Sequence, residues 1–447
     1  MPDTVTKPDF GPFNYVRELQ RRMDESGWWH SFELPNGQVI KGSCDLPGLQ
    51  RRIQQFPIPS DLRGKRVLDI GAWDGWFSFE MERRGAEVLA IDVFDNPRFH
   101  QIHEILNSRV EYQQLDVYDL DPRRIGQFDI VLFMGVLYHL KHPILALERV
   151  CSVTRGMAAV DSFALRESDR PQTDLRNRPI MEFYETDEFG GQTDNWIGPS
   201  VPCLMALCRT AGFARAELRS QMEYSTCIAC YRGWEPVSKT KGTAPRLLNA
   251  FHHMNFGINF YSTKDDYITS WFDVFGQEVS LDKLKPQVDS FGVRPLHFSK
   301  VEGHWQATFK CPPGLSAGWH DVAFAIGDSP RSDPIKIAVD LKPDTDSLRI
   351  ASICDGTSWK PGEINLDLGD SLSLWIEGLP ENADRNNVQV IVSGVKAPVA
   401  YVEPSKPEGR QVNASLPAGK WSDETLKVSV KVGATTSQTV PVRIVPS

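Results

Sequence analysis

Acidic residues and glycines recur at fixed spacing in VLDIGAWDGWFS, residues 67–78. The pattern is D-x-G-x-x-x-G, with Asp69, Gly71 and Gly75 at its fixed points and Asp74 inside the turn. Val67, Leu68 and Ile70 make a short apolar run, as a parallel strand covered on both faces requires. Gly71 and Gly75 allow a tight turn and close approach of a ligand to the backbone. A diphosphate is held by the free amides of a helix N-terminus, behind a G-x-G-x-x-G turn. The turn here has a different pattern, and its carboxylates suit a cationic, amine-bearing ligand better than an anionic one.

The elements that would position this turn can be read around it. Residues 80–84 continue a helix that ends at Gly85, a C-cap signal. Residues 87–92 (EVLAID) read as a second strand that ends in Asp92. An acid at that strand tip, about 20 residues after the glycine turn, is placed to accept hydrogen bonds from ribose hydroxyls. A third strand is expected at 110–115, before Asp116, and a fourth at 128–134 (FDIVLFM), which runs into GVLYH. A fifth is expected at 157–160, before Asp161. Strands separated by helical segments predict a doubly wound α/β sheet, whose ligands sit outside the carboxyl ends of the strands. Asp69, Asp92, Asp116 and Met134 fall at such ends.

The stretches VLDIGAWDGWFSFEMERRGAEVLAID and FDIVLFMGVLYHLKHP together resemble a class I S-adenosylmethionine-dependent methyltransferase. S-adenosylmethionine carries a sulfonium and an α-ammonium group and no phosphate, the charge character expected above. More narrowly, MGVLYH and GWWHSFELPNGQVIKG resemble the bacterial wobble-uridine tRNA methyl- and carboxymethyltransferase family. The resemblance covers about residues 10–235 and implies a Rossmann-like fold. It implies that Gly71 and Gly75 line the methionine part of the cofactor and that Asp92 holds the ribose. Asp116 would lie near the adenine, and Met134 and Tyr138 would border the sulfonium. Asp69 and Trp73, in the same turn, complete the expected cofactor set. The carboxymethyl-transferring members use a carboxylated cofactor held by basic and aromatic groups. Lys41 and Tyr138 are the positions that correspond to two of these. Their upstream tryptophan and lysine and their late arginine have no match here, so ordinary methyl transfer is expected.

A sulfonium is already an activated methyl donor, so catalysis needs orientation and removal of a proton from the acceptor. His139 follows Tyr138 at the end of the fourth strand and is the expected base, or the residue that orients the acceptor. A helix-capping or supporting histidine is the alternative. His30, Asp161 and Glu182 are the secondary bases. Asn195 and Trp196, before an expected helix at 202–211, are further acceptor contacts implied by the resemblance. Trp28, Trp29 and His30 precede an apparent hairpin at 32–40, whose Asn36-Gly37 turn is a hairpin signal. That segment is either a lid that stacks on substrate or cofactor, or a packing element at the sheet edge. Trp73 and Trp76 likewise pack the first helix or stack on a ligand.

Composition bounds the rest. At 447 residues the chain suits two to four domains. It is 41% hydrophobic and 24% charged, as soluble globular proteins are. It has no apolar run of membrane-spanning length and no secretory signal, so a cytoplasmic location is expected. The eight cysteines are scattered, and Cys227-Ile228-Ala229-Cys230 is a lone C-x-x-C, read as a buried thiol pair in a strand rather than a metal site. A formal charge of −9 gives no global attraction for nucleic acid. The expected partner is therefore a small-molecule, sugar or other non-nucleic methyl acceptor. A tRNA substrate and an inactive cofactor-binding scaffold are the alternatives.

After Trp234 the character changes. Residues 236–248 are rich in Pro, Lys, Thr and Gly, like a linker. Beyond them, short alternating strands with Gly and Pro turns predict two β-sandwiches. QVNASLPAG and VPVRIV resemble bacterial immunoglobulin-like domains, whose role would be docking to protein or glycan, or oligomerisation. The expected domains are 1–235, 236–342 and 343–447, with the aromatic segment 249–290 assigned to the first sandwich.

Overall fold

A computed structural model of the chain describes residues 27–168, 170–222, 225–405, 409–417 and 425–445. The chain divides into two compact units. The first is built on residues up to 240 together with 282–294 and 312–315; the second takes 241–281, 295–311 and 316–447.

The described residues of the first unit start with a strap, residues 28–44. Strands β1 (Phe32–Glu33) and β2 (Val39–Ile40) form a small antiparallel hairpin around the expected Asn-Gly turn. Helix α1 (Leu46–Gln54) follows, started by Asp45, whose carboxylate accepts from the Gly48 N–H at 2.8 Å. The central elements are β3 (Arg66–Ile70), α2 (Trp76–Arg83), β4 (Glu87–Asp92), α3 (Pro97–Ile105), β5 (Glu111–Gln114) and β6 (Phe128–Met134). Then come α4 (Pro143–Val153) and β7 (Thr154–Ser162). A second small hairpin, β8 (Met181–Phe183) and β9 (Ile197–Pro199), precedes α5 (Val201–Thr210). The strands β10 (Arg215–Gln221) and β11 (Thr226–Tyr231) close the series.

The main sheet has seven strands in the order β10-β11-β7-β6-β3-β4-β5. Strands β3 to β7 run parallel, and β10 and β11 return antiparallel. This is the expected doubly wound α/β sheet, with both faces covered. Val67, Ala90, Ile130, Leu132 and Ala159 join Leu49, Ile53, Phe77 and Met81 on one face. Leu68, Ile70, Ile91, Val131 and Val160 join Leu147, Val150 and Leu204 on the other. The period-two alternation decides which residue faces which layer. It also separates the C-x-x-C pair. Cys227 packs in the first cluster and Cys230 in the second, so the two thiols lie on opposite faces of β11.

Residues 282–294 and 312–315 complete the first unit around Arg232, which is 1% exposed. Its guanidinium donates to the Cys151 carbonyl at 2.5 Å and the Pro313 carbonyl at 2.7 Å, and stands 4.0 Å from the Phe291 ring centre.

The second unit is β throughout. Its first sandwich has a sheet of Arg246–His252, Tyr267–Asp273, His304–Lys310 and Pro295–Val301. Gly318–Ile326 and Ile335–Val339 lie in the facing sheet. The second sandwich carries strands at Ser371–Glu377, Val388–Val392, Arg410–Ser415, Thr425–Val432 and Val440–Val445. Its core is Leu372, Leu374, Val390, Val412, Val428 and Val430. Among the described residues, no helix is long and apolar enough to cross a membrane.

Candidate functional site

Strand order reverses between β3 and β6: β4 and β5 lie to one side, β7 and β11 to the other. Crevices form at such points, outside the carboxyl ends of the strands. The glycine turn sits there. Gly71, Trp73 and Gly75 are all left-handed, at φ 73°, 53° and 93°. Glycine adopts that conformation freely; Trp73 does so at a cost of about 1–3 kcal/mol. Gly75 starts α2 without a side-chain cap. A β-carbon at Gly75 would meet Phe79 at 2.5 Å and Phe99 at 2.7 Å, so its side must stay bare. A β-carbon at Gly71 would lie 2.4 Å from Val136, inside MGVLYH. The turn and the end of β6 therefore touch.

Asp92 is the hinge of this arrangement. It is 6% exposed, and its two carboxylate oxygens accept from the Trp73 N–H at 2.9 Å and the Phe94 N–H at 3.0 Å. Each oxygen keeps capacity for another donor, such as a ribose hydroxyl. Burial raises its pKa, opposed by these two amides. Asp69, 2% exposed, accepts from the Ser78 hydroxyl at 2.6 Å, and burial lifts its pKa to about 6. Asp116 caps the turn after β5 by accepting from the Tyr118 N–H at 2.9 Å. Met134 is buried at the tip of β6. Lys41 is exposed beyond β2 and makes no hydrogen bond to the turn among the described residues. Trp76 is buried in the core beside Phe77, whereas Trp73 stays 37% exposed.

Asp74, by contrast, faces inward. It is fully buried, and its carboxylate accepts from the Trp29 and His30 N–H groups, each at 2.9 Å, and pairs with the His30 ring. Of the two readings of this segment, lid or packing element, these contacts are those of packing, and His30 is committed there. The other secondary bases are committed too. Glu182 pairs with Arg170 at 2.6 Å, and Asp161 pairs with Arg52 while accepting from Ser225 at 2.7 Å.

Arg52 is the residue that sequence reasoning missed. It lies on the apolar face of α1, one turn from Leu49 and beside Ile53, both buried. An arginine at that spacing signals a buried partner, which Asp161 at the end of β7 supplies. Burial works against the Arg52 cation, yet the Asp161 carboxylate raises its pKa. Only its Nε engages Asp161, and its Nη atoms have no acceptor among the described residues. A β-carbon at Gly135 would lie 3.2 Å from Arg52 Nη2 and 3.9 Å from the Tyr138 hydroxyl, so both groups converge on the end of β6. Burial pushes the Tyr138 phenol up to about 12, against the pull of Arg52.

The His139 ring centre lies 4.2 Å from that of Tyr138, the planes tilted by 44°, and its Nδ1 is 3.1 Å from the Asp194 carbonyl. A carbonyl only accepts, so Nδ1 carries the proton and Nε2 holds the lone pair. Burial lowers the His139 pKa, opposed by the nearby Asp194 carboxylate. The loop before β9 is fixed to the same segment by the Trp196 N–H, which donates to the Tyr138 carbonyl at 2.8 Å. Asn195 is buried there and donates to the Phe189 carbonyl at 2.9 Å.

Residues 46–173 match the family model described as methyltransferase domain, and that match, with this fold and turn, supports a class I S-adenosylmethionine-dependent methyltransferase. The particular likenesses are to several enzymes of that class. The chain is 29% identical over 160 residues to a tRNA U34 carboxymethyltransferase of Pseudomonas fluorescens, covering 34% of this chain and 47% of that one. It is 40% identical over 86 residues to a ubiquinone biosynthesis O-methyltransferase of Acinetobacter baylyi, covering 18% and 36%. It thus spans less than half the length of these relatives. Among solved structures, the N-terminal domain of EvdMO1 with SAH bound aligns at 24% identity and a TM-score of 0.34, covering 48% of this chain and 95% of that one.

Proposed function

We propose that the first unit transfers a methyl group from S-adenosylmethionine to an acceptor that is not a nucleic acid. The observation that carries the cofactor reading is the convergence of the glycine turn, the Asp92 carboxylate and the Nη groups of Arg52, which have no acceptor among the described residues, at the strand-order reversal. Asp92 would hold the ribose hydroxyls, Arg52 the methionine carboxylate, and Asp69 would lend negative charge beneath the turn. Asp116 borders the adenine side, and Met134, Gly71 and Gly75 line the methionine side. The cofactor supplies an electrophilic methyl carbon.

The chain's own task is then orientation and proton removal. His139, neutral with its lone pair on Nε2, can take the acceptor's proton. The Asp194 carbonyl fixes that tautomer. Tyr138 keeps its proton at neutral pH, because burial holds its pKa near 12, and can donate a hydrogen bond to the acceptor. The net charge of −9 favours a small-molecule, sugar or protein acceptor. Two relatives are named for tRNA U34, which makes tRNA the reading to exclude. Incubation with methyl-labelled cofactor and size-fractionated cell extract tests both. Label in low-mass or protein fractions supports the proposal, and label in purified bulk tRNA overturns its acceptor half. Calorimetric titration with S-adenosylhomocysteine and with NAD tests the cofactor half; binding of NAD alone would sink it.

A further inference from the structure

The glycine turn is held from two sides. On one side the Trp73 N–H is tied to Asp92 at 2.9 Å. On the other, Asp74 is gripped by the strap, through the Trp29 and His30 N–H groups at 2.9 Å each and through the His30 ring. The strap is itself closed by backbone bonds. The Ser43 N–H donates to the Trp28 carbonyl at 3.1 Å, Cys44 N–H to Trp29 at 2.7 Å, and Ser31 N–H to Cys44 at 2.9 Å. Gly42 makes this closure possible. A β-carbon there would lie 2.5 Å from the His30 carbonyl carbon and oxygen and 2.8 Å from the Trp29 oxygen. The His30 ring also packs edge-on against Phe77, 5.4 Å between centres, in the first turn of α2.

A turn with three left-handed residues, one of them tryptophan, does not hold that shape by local preference. Released from Asp74, it would relax at Trp73, and the amide that orients Asp92 would move with it. We propose that His30 and Asp74 are positioning residues for cofactor capture, and that the strap acts by holding the glycine turn in its ligand-ready shape. The proposal rests on the reading that this turn receives S-adenosylmethionine. Neither residue need touch the ligand, since Asp74 is fully buried and His30 is 4% exposed.

The test uses the full chain, calorimetric titration with S-adenosylhomocysteine, and hydrogen exchange of peptides spanning 71–76. His30→Ala and Asp74→Ala should weaken binding about 10- to 50-fold, a loss of roughly 1.4–2.3 kcal/mol. Asp74→Asn keeps an acceptor for the Trp29 and His30 amides and should recover most of the affinity. Gly42→Ala disturbs the strap alone and should weaken binding comparably. All but Asp74→Asn should speed exchange across 71–76. Phe56→Ala, a core truncation of the same unit outside strap and turn, should lower thermal stability while leaving affinity and turn exchange near the unmodified protein. Unchanged turn exchange in both His30→Ala and Gly42→Ala would overturn the proposal, as would equal losses of affinity in Phe56→Ala. If the unmodified protein binds no S-adenosylhomocysteine, the cofactor reading fails, and turn exchange still decides whether the strap holds the turn.

Discussion

Arg52 and Asp161 offer a perturbation whose stability and binding effects separate. The Asp161 side chain is 1% exposed and that of Arg52 is 21% exposed. In Arg52→Met, Asp161 would remain buried with the Ser225 hydroxyl as its remaining side-chain partner. Removing one member of a buried pair costs about 3–5 kcal/mol. For a unit of this size, that lowers its thermal transition by about 6–20 °C, at roughly 2–4 °C per kcal/mol. Arg52→Met with Asp161→Asn removes both charges and should recover most of that loss, because an uncompensated charge is what makes the single variant costly. Affinity should not recover. Hydrogen bonds to a charged group contribute about 1.5–3 kcal/mol, so losing the two Nη donors should weaken S-adenosylhomocysteine about 10- to 150-fold in both variants. The assay is calorimetric titration beside a thermal melt of each protein. A double variant that regains both stability and affinity would refute the assignment and leave Arg52 a structural ion pair.

The other expectations concern base, pH and boundary. His139→Ala should lower turnover about 100- to 10,000-fold, measured by labelled-methyl transfer, with affinity for S-adenosylhomocysteine nearly intact; full activity would remove His139 from the mechanism. Asp69 titrates near 6 in the folded protein, raised from its ordinary value of 3.8 by burial. Its protonated form is therefore favoured by folding, and this contribution to stability is fully present below about pH 4 and lost as pH rises through 6. Affinity for an amine-bearing cofactor should move the other way and tighten from pH 5 to 7 as Asp69 ionises; Asp69→Asn should flatten that profile in titrations across the range. A chain ended after Trp234 would strip Arg232 of the Pro313 carbonyl and the Phe291 ring, and Trp234 of the Pro286 carbonyl it reaches at 2.8 Å. Such a chain should melt well below one that also retains 282–294 and 312–315, and equal melting temperatures would show that these segments add little.

The central sheet was legible because its signal is dense. The runs 87–92 and 128–134 carry the continuous apolar stretches VLAI and IVLFM, and the observed strands have the same limits as those runs. The strands of the second sandwich announce themselves by alternation, as in 388–392. The hairpin of β8 and β9 was not legible. Each strand has three residues, and what holds them is non-local: the Tyr184 N–H donates to the Trp196 carbonyl at 2.9 Å. Asp74 shows a different limit. A carboxylate inside a glycine turn reads as a ligand group, and nothing in spacing tells whether it faces the crevice or the core. The partner that decides it, His30, lies 44 positions earlier.

Departures from local rules occur in both units, and some have a plain local cause. Among the described residues of the second unit, five other than glycine are left-handed: Phe256, Glu302, Asp340, Trp359 and Ser393, at φ 59°, 47°, 48°, 62° and 45°. Glu302 and Ser393 sit in tight connections between antiparallel strands and are followed by Gly303 and Gly394, as two-residue hairpin turns demand. Turn chemistry explains these two. Trp73 has no such reason. It lies between a parallel strand and a helix, where asparagine or glycine would adopt the same backbone at less cost. Around it stand an arginine on an apolar helix face, a fully buried aspartate and a helix begun without a side-chain cap. Three of these departures have a partner that compensates them: Asp92 for Trp73, Asp161 for Arg52, His30 for Asp74. Those partners come from β4, β7 and the strap, so the strain is distributed over elements far apart in sequence. Natural chains tolerate such local conflict mainly where function needs it. Their clustering around the ends of β3 and β6 is an independent reason to place the chemistry there.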